Sequence, residues 1–116
     1  MQLEDFRDFC LALPGVTEEF PFDNKTLVFK VAGKMFALCD VETFEGINLK
    51  CDPETAILWR EQYPAVQPGY HMNKSHWNTL IMDGSLPPKF ILKATRLSYD
   101  LVVKGLPQKT QKELVG

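Results

Sequence analysis

The stretch TLVFKVAGKMFALCDV (residues 26–41) contains two runs of β-forming residues joined by a short connection, AGK at positions 32–34. A short connection that contains glycine between two such runs is typical of a β-hairpin. In the first run, Leu27 and Phe29 share one face of the strand and Lys30 lies on the other. This alternation predicts an antiparallel sheet that is covered on one side only.

The rest of the chain supplies two more predicted strands and three main helices. The strands are expected at 46–51 and 77–82, the helices at 3–13, 53–63 and 88–104, and a further short helix at 107–114. Asp52 and Pro53 suit the N-cap and the first position of the second helix, and Leu97 falls in the apolar stripe expected for the last long helix. The order α-β-β-β-α-β-α predicts an α+β fold, an antiparallel sheet with helices packed on one face.

The composition indicates a single domain over residues 1–116, with 45% hydrophobic and 24% charged residues. No apolar run approaches the roughly 20 residues that span a bilayer, and the start, MQLEDFRDF, is acidic, unlike a secretory signal. Three cysteines without a CxxC pair favour buried free thiols in a reducing compartment, where a Cys39–Cys51 disulfide is disfavoured. We therefore expect a cytoplasmic monomer with no membrane partner.

Both histidines and one of the two tryptophans fall within YHMNKSHWNTL, residues 70–80. A zinc site needs three or four converging ligands, and acyl transfer needs a nucleophile, a base and an orienting acid. The chain shows neither pattern, and it also lacks a phosphate-binding loop and a dinucleotide fingerprint. We expect no enzyme activity, no cofactor and no metal site. The segment is either a structural lock between a loop and a strand or a contact surface, and Lys74 is expected to point outwards.

The predicted open face of the sheet carries basic and amide side chains without intervening acids. These candidates are Lys30, Lys34, Asn48 and Lys50. Charge is also uneven along the chain, because residues 86–116 contain six basic and two acidic residues while the whole chain has a net charge of −2. Solvated faces of a sheet and a helix would also look like this, so both interpretations stay open.

Several segments together resemble the MmcQ/YjbR family. They are LPGVTEEFPF (13–22), VFKVAGKMFAL (28–38), LKCDPE (49–54), HMNKSHW (71–77) and DGSLP (83–87), in this order over nearly the whole chain. The resemblance implies a small bacterial, cytoplasmic protein with a CyaY-like, frataxin-like α+β fold. It also implies a DNA-binding label, which rests on likeness to a double-wing DNA-binding domain. The family signature falls on His71, Asn73, Lys74, His76 and Trp77.

Three functions are consistent with this sequence. The first is DNA binding, weak and salt-dependent, through the lysine-bearing sheet face together with Lys74. The alternative is a non-enzymatic adaptor module that binds a small ligand or a protein through the segment His71–Trp77. The third, iron binding by analogy with frataxin-like proteins, would use acidic residues near the start of the chain. Those residues are Glu4, Asp5, Asp8, Glu18 and Glu19.

Overall fold

The computed structural model describes residues 1–115, which contain four helices and six strands. The helices are α1 (Leu3–Ala12), α2 (Pro53–Gln62), α3 (Pro88–Lys104) and α4 (Gln108–Val115). The strands are β1 (Val16–Glu19), β2 (Thr26–Val31), β3 (Lys34–Asp40), β4 (Gly46–Lys50), β5 (Val66–Pro68) and β6 (Trp77–Ile81). The α+β class is confirmed, whereas the CyaY-like and double-wing labels stay predictions.

The six strands form one open antiparallel sheet in the order β1-β2-β3-β4-β6-β5. The predicted hairpin between β2 and β3 is present, with a loop of only Ala32 and Gly33. Both loop residues have positive φ angles, 50° and 78°, as a tight turn between twisted strands requires. The register of the pairing between β2 and β3 shifts between Phe29 and Lys30, which marks a bulge in β2 near this turn.

All four helices contribute to an apolar core on one face of the sheet. Phe6 of α1 packs edge-on against Phe29 of β2, with ring centroids 5.7 Å apart. Tyr99 of α3 packs in the same way against Phe36 of β3, and Trp59 of α2 borders the same cluster. The prediction that the helices pack on one face of the sheet is therefore confirmed.

A buried serine joins α3 to the middle of the sheet. The Ser98 hydroxyl donates to the carbonyl of Phe36 at 2.6 Å and accepts from the backbone N–H of Lys50 at 2.9 Å. Ser98 is fully buried, so the two backbone groups depend on it for their hydrogen bonds. The core stripe of α3 runs through such positions, and the expectation that Leu97 belongs to it is wrong, because Leu97 is 44% exposed.

Two strands are added to the predicted order, because β1 and β5 lie at the two edges of the sheet. Their sequences, VTEE and VQP, are short, and neither alternates as a buried strand does. The short fourth helix is present at 108–115. Asp52 caps α2 as predicted, accepting from the backbone N–H of Thr55.

The face opposite the helices is less bare than the sequence predicts. Val28, Leu38 and Trp77 form a small second apolar cluster there, with Met35 and Met72 packed against it. Met72 belongs to the loop between β5 and β6, so this loop covers part of the second face.

No helix of residues 1–115 is both long enough and apolar enough to cross a membrane.

All three cysteines are buried and unpaired. Cys39 lies opposite Ile47 in the pairing of β3 with β4. Cys51 follows four residues after Ile47, about 13 Å further along an extended chain, which is too far for a disulfide with Cys39.

Candidate functional site

An open groove of about 960 Å³ lies on the sheet face opposite the helices. One wall is the loop of residues 69–76, called here the histidine loop, and the other is the segment of residues 20–25. Leu38, Asn48 and Thr79 lie side by side across β3, β4 and β6 and form part of the floor. The groove therefore combines an apolar and hydrogen-bonding floor with walls made by two loops.

The histidine loop packs directly onto β6 at Gly69. Its N–H donates to the carbonyl of Trp77 at 2.9 Å. A Cβ at Gly69 would lie 2.7 Å from the Cβ of Trp77 and 2.9 Å from its carbonyl oxygen. Real Cβ atoms do not approach so closely, so only glycine lets the loop begin at this distance from the strand.

Three residues of the family signature hold the histidine loop together. The side-chain oxygen of Asn73 accepts from Ser75 N at 2.9 Å, and its carbonyl accepts from Trp77 N at 2.9 Å. The ammonium of Lys74 donates to the carbonyl of Gly69 at 3.1 Å, which closes the loop. Trp77 is buried in the second apolar cluster. The expectation that Lys74 points outwards is therefore only partly met, because its charged group is used within the loop.

Arg60 of α2 fixes the same loop from the helix side of the sheet, a role that no sequence pattern indicates. Its guanidinium donates to Asn78 Oδ1 at 2.7 Å, to the carbonyl of Trp77 at 3.2 Å and to the carbonyl of Lys74. Asn78 is buried, and its side-chain N–H donates to the carbonyl of Ala56, which links β6 to α2 a second time. One side chain thus couples α2, β6 and the histidine loop.

Tyr70 and His71 stand at the rim of the groove with exposed rings. Their ring centroids are 4.0 Å apart with an interplanar angle of 52°, and Tyr70 is 69% exposed. His71 has a φ angle of 58°, in the left-handed region that few residues other than glycine adopt. Thr79 Oγ1 accepts from Tyr70 N at 2.9 Å and donates to Asn48 Oδ1 at 2.5 Å, which fixes the backbone beneath the two rings.

The opposite wall is set by an aspartate turn that carries Phe22, a ring that is 63% exposed. Asp23 Oδ1 accepts from Thr26 N at 2.7 Å and from Lys25 N at 2.8 Å. These backbone hydrogen bonds hold the pKa of Asp23 below its usual range. The segment is thus fixed by its own turn, and Phe22 faces the groove from the side opposite Tyr70.

The other sequence candidates divide between structural roles and free surface. Asn48 belongs to the network beneath Tyr70, and Lys30 forms an ion pair with Glu19 of β1. The expectation of a lysine-bearing face without acids is therefore wrong at Lys30, because the unpredicted edge strand supplies the carboxylate. Lys34 and Lys50 instead line a separate pocket of about 270 Å³ beside Trp77.

His76 and the acidic residues near the start of the chain lie outside the groove. His76 is exposed and contributes its backbone, whose carbonyl accepts from Cys51 N at 2.7 Å and whose N–H donates to the carbonyl of Asn73 at 3.2 Å. Glu18 is held by Arg7 with a closest approach of 2.6 Å, and Asp5 accepts from Gln2 N. Within residues 1–115, no three His, Cys, Asp or Glu side chains converge as a metal site would require.

Comparison with known proteins assigns the chain to a family. The sequence model of the YjbR family matches residues 11–101, which include every residue of the groove named above. The chain belongs to the YjbR family. The MmcQ/YjbR resemblance seen in the sequence is thus confirmed at the level of the family.

Two relatives and two solved structures define this membership further. The YjbR protein of Escherichia coli is 37% identical over 99% of this chain and 98% of its own length. The YbdF protein of Escherichia coli is 36% identical over 96% of this chain and 92% of its own. Both relatives are described as uncharacterised, so membership of the YjbR family does not identify a ligand.

Structural likeness extends over the same length. The crystal structure of the Deinococcus radiodurans protein DR2400, with a DUF419 domain, matches with a TM-score of 0.92 and 40% identity, covering 98% of this chain and 88% of that one. A Pseudomonas syringae protein matches with a TM-score of 0.73 and 27% identity, covering 87% of this chain and 98% of that one. The fold of this chain is therefore shared by the Deinococcus radiodurans and Pseudomonas syringae proteins.

Proposed function

We propose that this YjbR-family chain is a non-enzymatic binding module whose groove takes a small organic ligand. The observation that carries the proposal is the exposed Tyr70–His71 pair, fixed at the rim with His71 in the left-handed region. That backbone conformation costs about 1–2 kcal/mol for a residue other than glycine. Such strain is concentrated at functional positions in proteins, and here it sets an imidazole beside a groove.

The groove also has the size and lining of a ligand site. Its volume of about 960 Å³ lies at the upper end of the roughly 300–1,000 Å³ typical of small-molecule pockets. Leu38 and Met72 supply apolar surface, while Asn48 and Thr79 supply a few polar atoms between them. Aromatic rings at Phe22 and Tyr70 give a planar ligand two surfaces on which to pack.

The test uses 2-phenylacetamide, a neutral probe with an aromatic body and an amide. We expect it to bind with an affinity in the millimolar range for its size and to shift the amide NMR signals of Tyr70, His71 and Thr79. The substitution Tyr70→Ala should abolish these shifts. Leu58→Ala, at an exposed apolar position on α2 outside the groove, is the matched control and should leave them unchanged.

Binding that is equal in the two variants, or no shift at saturating probe, would refute the groove as a site. Misfolding of Tyr70→Ala would be visible in its amide spectrum. In that case Phe22→Ala, which removes the ring on the opposite wall, provides the same test.

DNA binding is a second candidate, and one observation favours it. Lys34 and Lys50 line the pocket of about 270 Å³, and no acidic residue of the described chain lines it with them. Two phosphate contacts predict a salt slope near −1.8, so affinity should fall about twelvefold from 50 to 200 mM salt. Fluorescence anisotropy with duplex DNA at these salt concentrations measures the slope, and Lys34→Gln with Lys50→Gln should flatten it. A slope that these substitutions do not change removes Lys34 and Lys50 as the contacts.

We place the protein in the cytoplasm as a monomer. The three buried cysteines, unpaired among the described residues, support a reducing compartment, since disulfides are rare in cytoplasmic proteins. Sedimentation equilibrium measures the monomeric state, and a dimer at micromolar concentration would contradict it.

A further inference from the structure

We infer that the ligand of the groove carries a positive charge, as an ammonium or guanidinium group on an aromatic or apolar body. This inference rests on the proposed function, since it names the chemistry of the ligand that the same groove takes. It comes from the charges that line the groove, from the state of its lysine, and from the aromatic rings at its rim.

Two carboxylates line the groove at the turn between β3 and β4. They belong to Asp40 and Glu45. Asp40 Oδ1 accepts from Glu42 N at 2.8 Å and from Thr43 N at 3.1 Å. Within residues 1–115, neither Asp40 nor Glu45 forms an ion pair. The turn therefore presents to the groove two carboxylates that are not held in ion pairs within the described residues.

The basic side chain of the groove offsets only part of this charge, because two carboxylates and one ammonium line the groove within residues 1–115. Lys74 is the one Lys or Arg that lines the groove within the described chain. Its ammonium donates to the carbonyl of Gly69 at 3.1 Å, inside the histidine loop. A phosphate or carboxylate that entered the groove would meet the two carboxylates and would compete with Gly69 for this ammonium.

The aromatic rings also favour a cation. Phe22 and Tyr70 are exposed on opposite walls, and the face of an aromatic ring attracts an ammonium or guanidinium group placed over it. The pocket at Lys34 and Lys50 has the opposite character, with two lysines and no acid among its lining residues in the described chain. These two concave sites thus suit ligands of opposite charge.

The experiment compares three probes with one aromatic body and different charges: 2-phenylethylammonium, 2-phenylacetamide and phenylacetate. Dissociation constants come from NMR titration at low salt. We expect the ammonium to bind about fivefold more tightly than the amide, as for an exposed ion pair, and phenylacetate to bind more weakly than both. High salt should reduce the advantage of the ammonium and leave amide binding unchanged.

Variants then locate the charge. Glu45→Gln and Asp40→Asn remove one carboxylate each, and asparagine can still accept the turn hydrogen bonds of Asp40. Each should lower the preference for the ammonium without changing the affinity for the amide. Glu61→Gln, at an exposed position on α2 outside the groove, is the matched control and should change neither.

The outcomes separate the two proposals. Equal binding of ammonium and amide, or tighter binding of phenylacetate, overturns the charge inference and leaves the groove as a site. Failure of all three probes overturns both. Acetyl-Phe-Arg-amide, run beside the amine, distinguishes the source of the cation: tighter binding of the peptide indicates a basic segment of a partner protein, tighter binding of the amine a free organic cation, and either order supports the charge inference.

Discussion

Replacing Arg60 with methionine should release the histidine loop and destabilise the whole chain. The substitution keeps a flexible stem of similar length and removes three hydrogen bonds, to Asn78 Oδ1 and to the carbonyls of Lys74 and Trp77. The expected loss is unequal among them. The Trp77 carbonyl still accepts from Gly69 N, and the Lys74 carbonyl can turn to water because that residue is exposed.

The larger cost falls on Asn78. Its side chain is 1% exposed, so Oδ1 would be left without a partner in the interior. A buried acceptor that loses a charged donor costs about 1.5–3 kcal/mol, and with the two carbonyls the total is about 2–4 kcal/mol. For a chain of 116 residues, an unfolding entropy of about 2.1 cal/mol/K per residue converts this to a fall in Tm of about 8–16 °C.

Thermal melting and urea unfolding measure this loss, and hydrogen exchange at the amides of Met72 and Trp77 reports on the loop itself. Arg96→Met is the matched control, since Arg96 forms an exposed i,i+4 pair with Asp100 and lies near the Tyr99 ring. It should cost about 0.5–1 kcal/mol and leave loop exchange unchanged. If the two arginine variants lose equal stability, or if loop exchange stays slow without Arg60, the coupling described above is refuted.

Two further predictions concern close packing and buried thiols. Gly69→Ala should lower the free energy of unfolding, measured in urea, by about 1–3 kcal/mol, because its Cβ would lie 2.7 Å from a side-chain carbon of β6. Gly105→Ala is the control and should lower it little, because its Cβ would have ordinary contacts from 3.5 Å and its φ is −83°. Equal losses in the two variants would contradict the steric argument. Burial raises the pKa of Cys39 to about 12 and of Cys51 to about 11, and it raises the pKa of Cys10 as well. As the pH rises, the thiols of the unfolded chain ionise first, near pH 8.5, because their pKa is not raised by burial. The free energy of unfolding should therefore be constant below about pH 8 and fall above that pH by about 1.4 kcal/mol per thiol per pH unit. Unfolding at about pH 8 and about pH 10 measures this, and Cys51→Ala should reduce the fall; an equal fall without Cys51 would contradict its burial.

The central hairpin and the long helices could be read from the sequence, because their periodicity is local. The edge strands could not, since VTEE and VQP are short and lack apolar alternation, and each is ordered by its hydrogen bonds to the next strand along the chain. The core stripe of α3 was misplaced for a related reason. Thr95 and Ser98 are buried polar residues that bond to backbone carbonyls, so the buried face includes positions that hydropathy assigns to solvent, and Leu97 is left outside.

The sequence indicates the segment that forms one wall of the groove, but it does not indicate what each residue of that segment does. The sequence marks residues 71–77, yet in the structure Asn73 and Trp77 hold the scaffold, while His71, Met72 and Lys74 line the groove. Arg60 lies fourteen positions before the carbonyl of Lys74 that it binds, and an arginine on a helix carries no signal of such a contact. The exposed ring of Phe22 is likewise invisible in sequence, because exposure of an aromatic side chain depends on the fold around it.

Some residues of the histidine loop hold its shape and others are free to contact a ligand, and this difference indicates which positions determine ligand preference in this fold. The side-chain oxygen of Asn73, the ammonium of Lys74 and the backbone of Gly69 are all hydrogen-bonded within the loop or to β6, so they can hold its shape whatever the groove contains. Within this loop, the exposed rings left free to contact a ligand are those of Tyr70 and His71. Changes at those two positions, or in the 20–25 segment opposite, should therefore alter ligand preference with little cost in stability, whereas changes at the loop-holding residues should cost stability first and binding as a consequence.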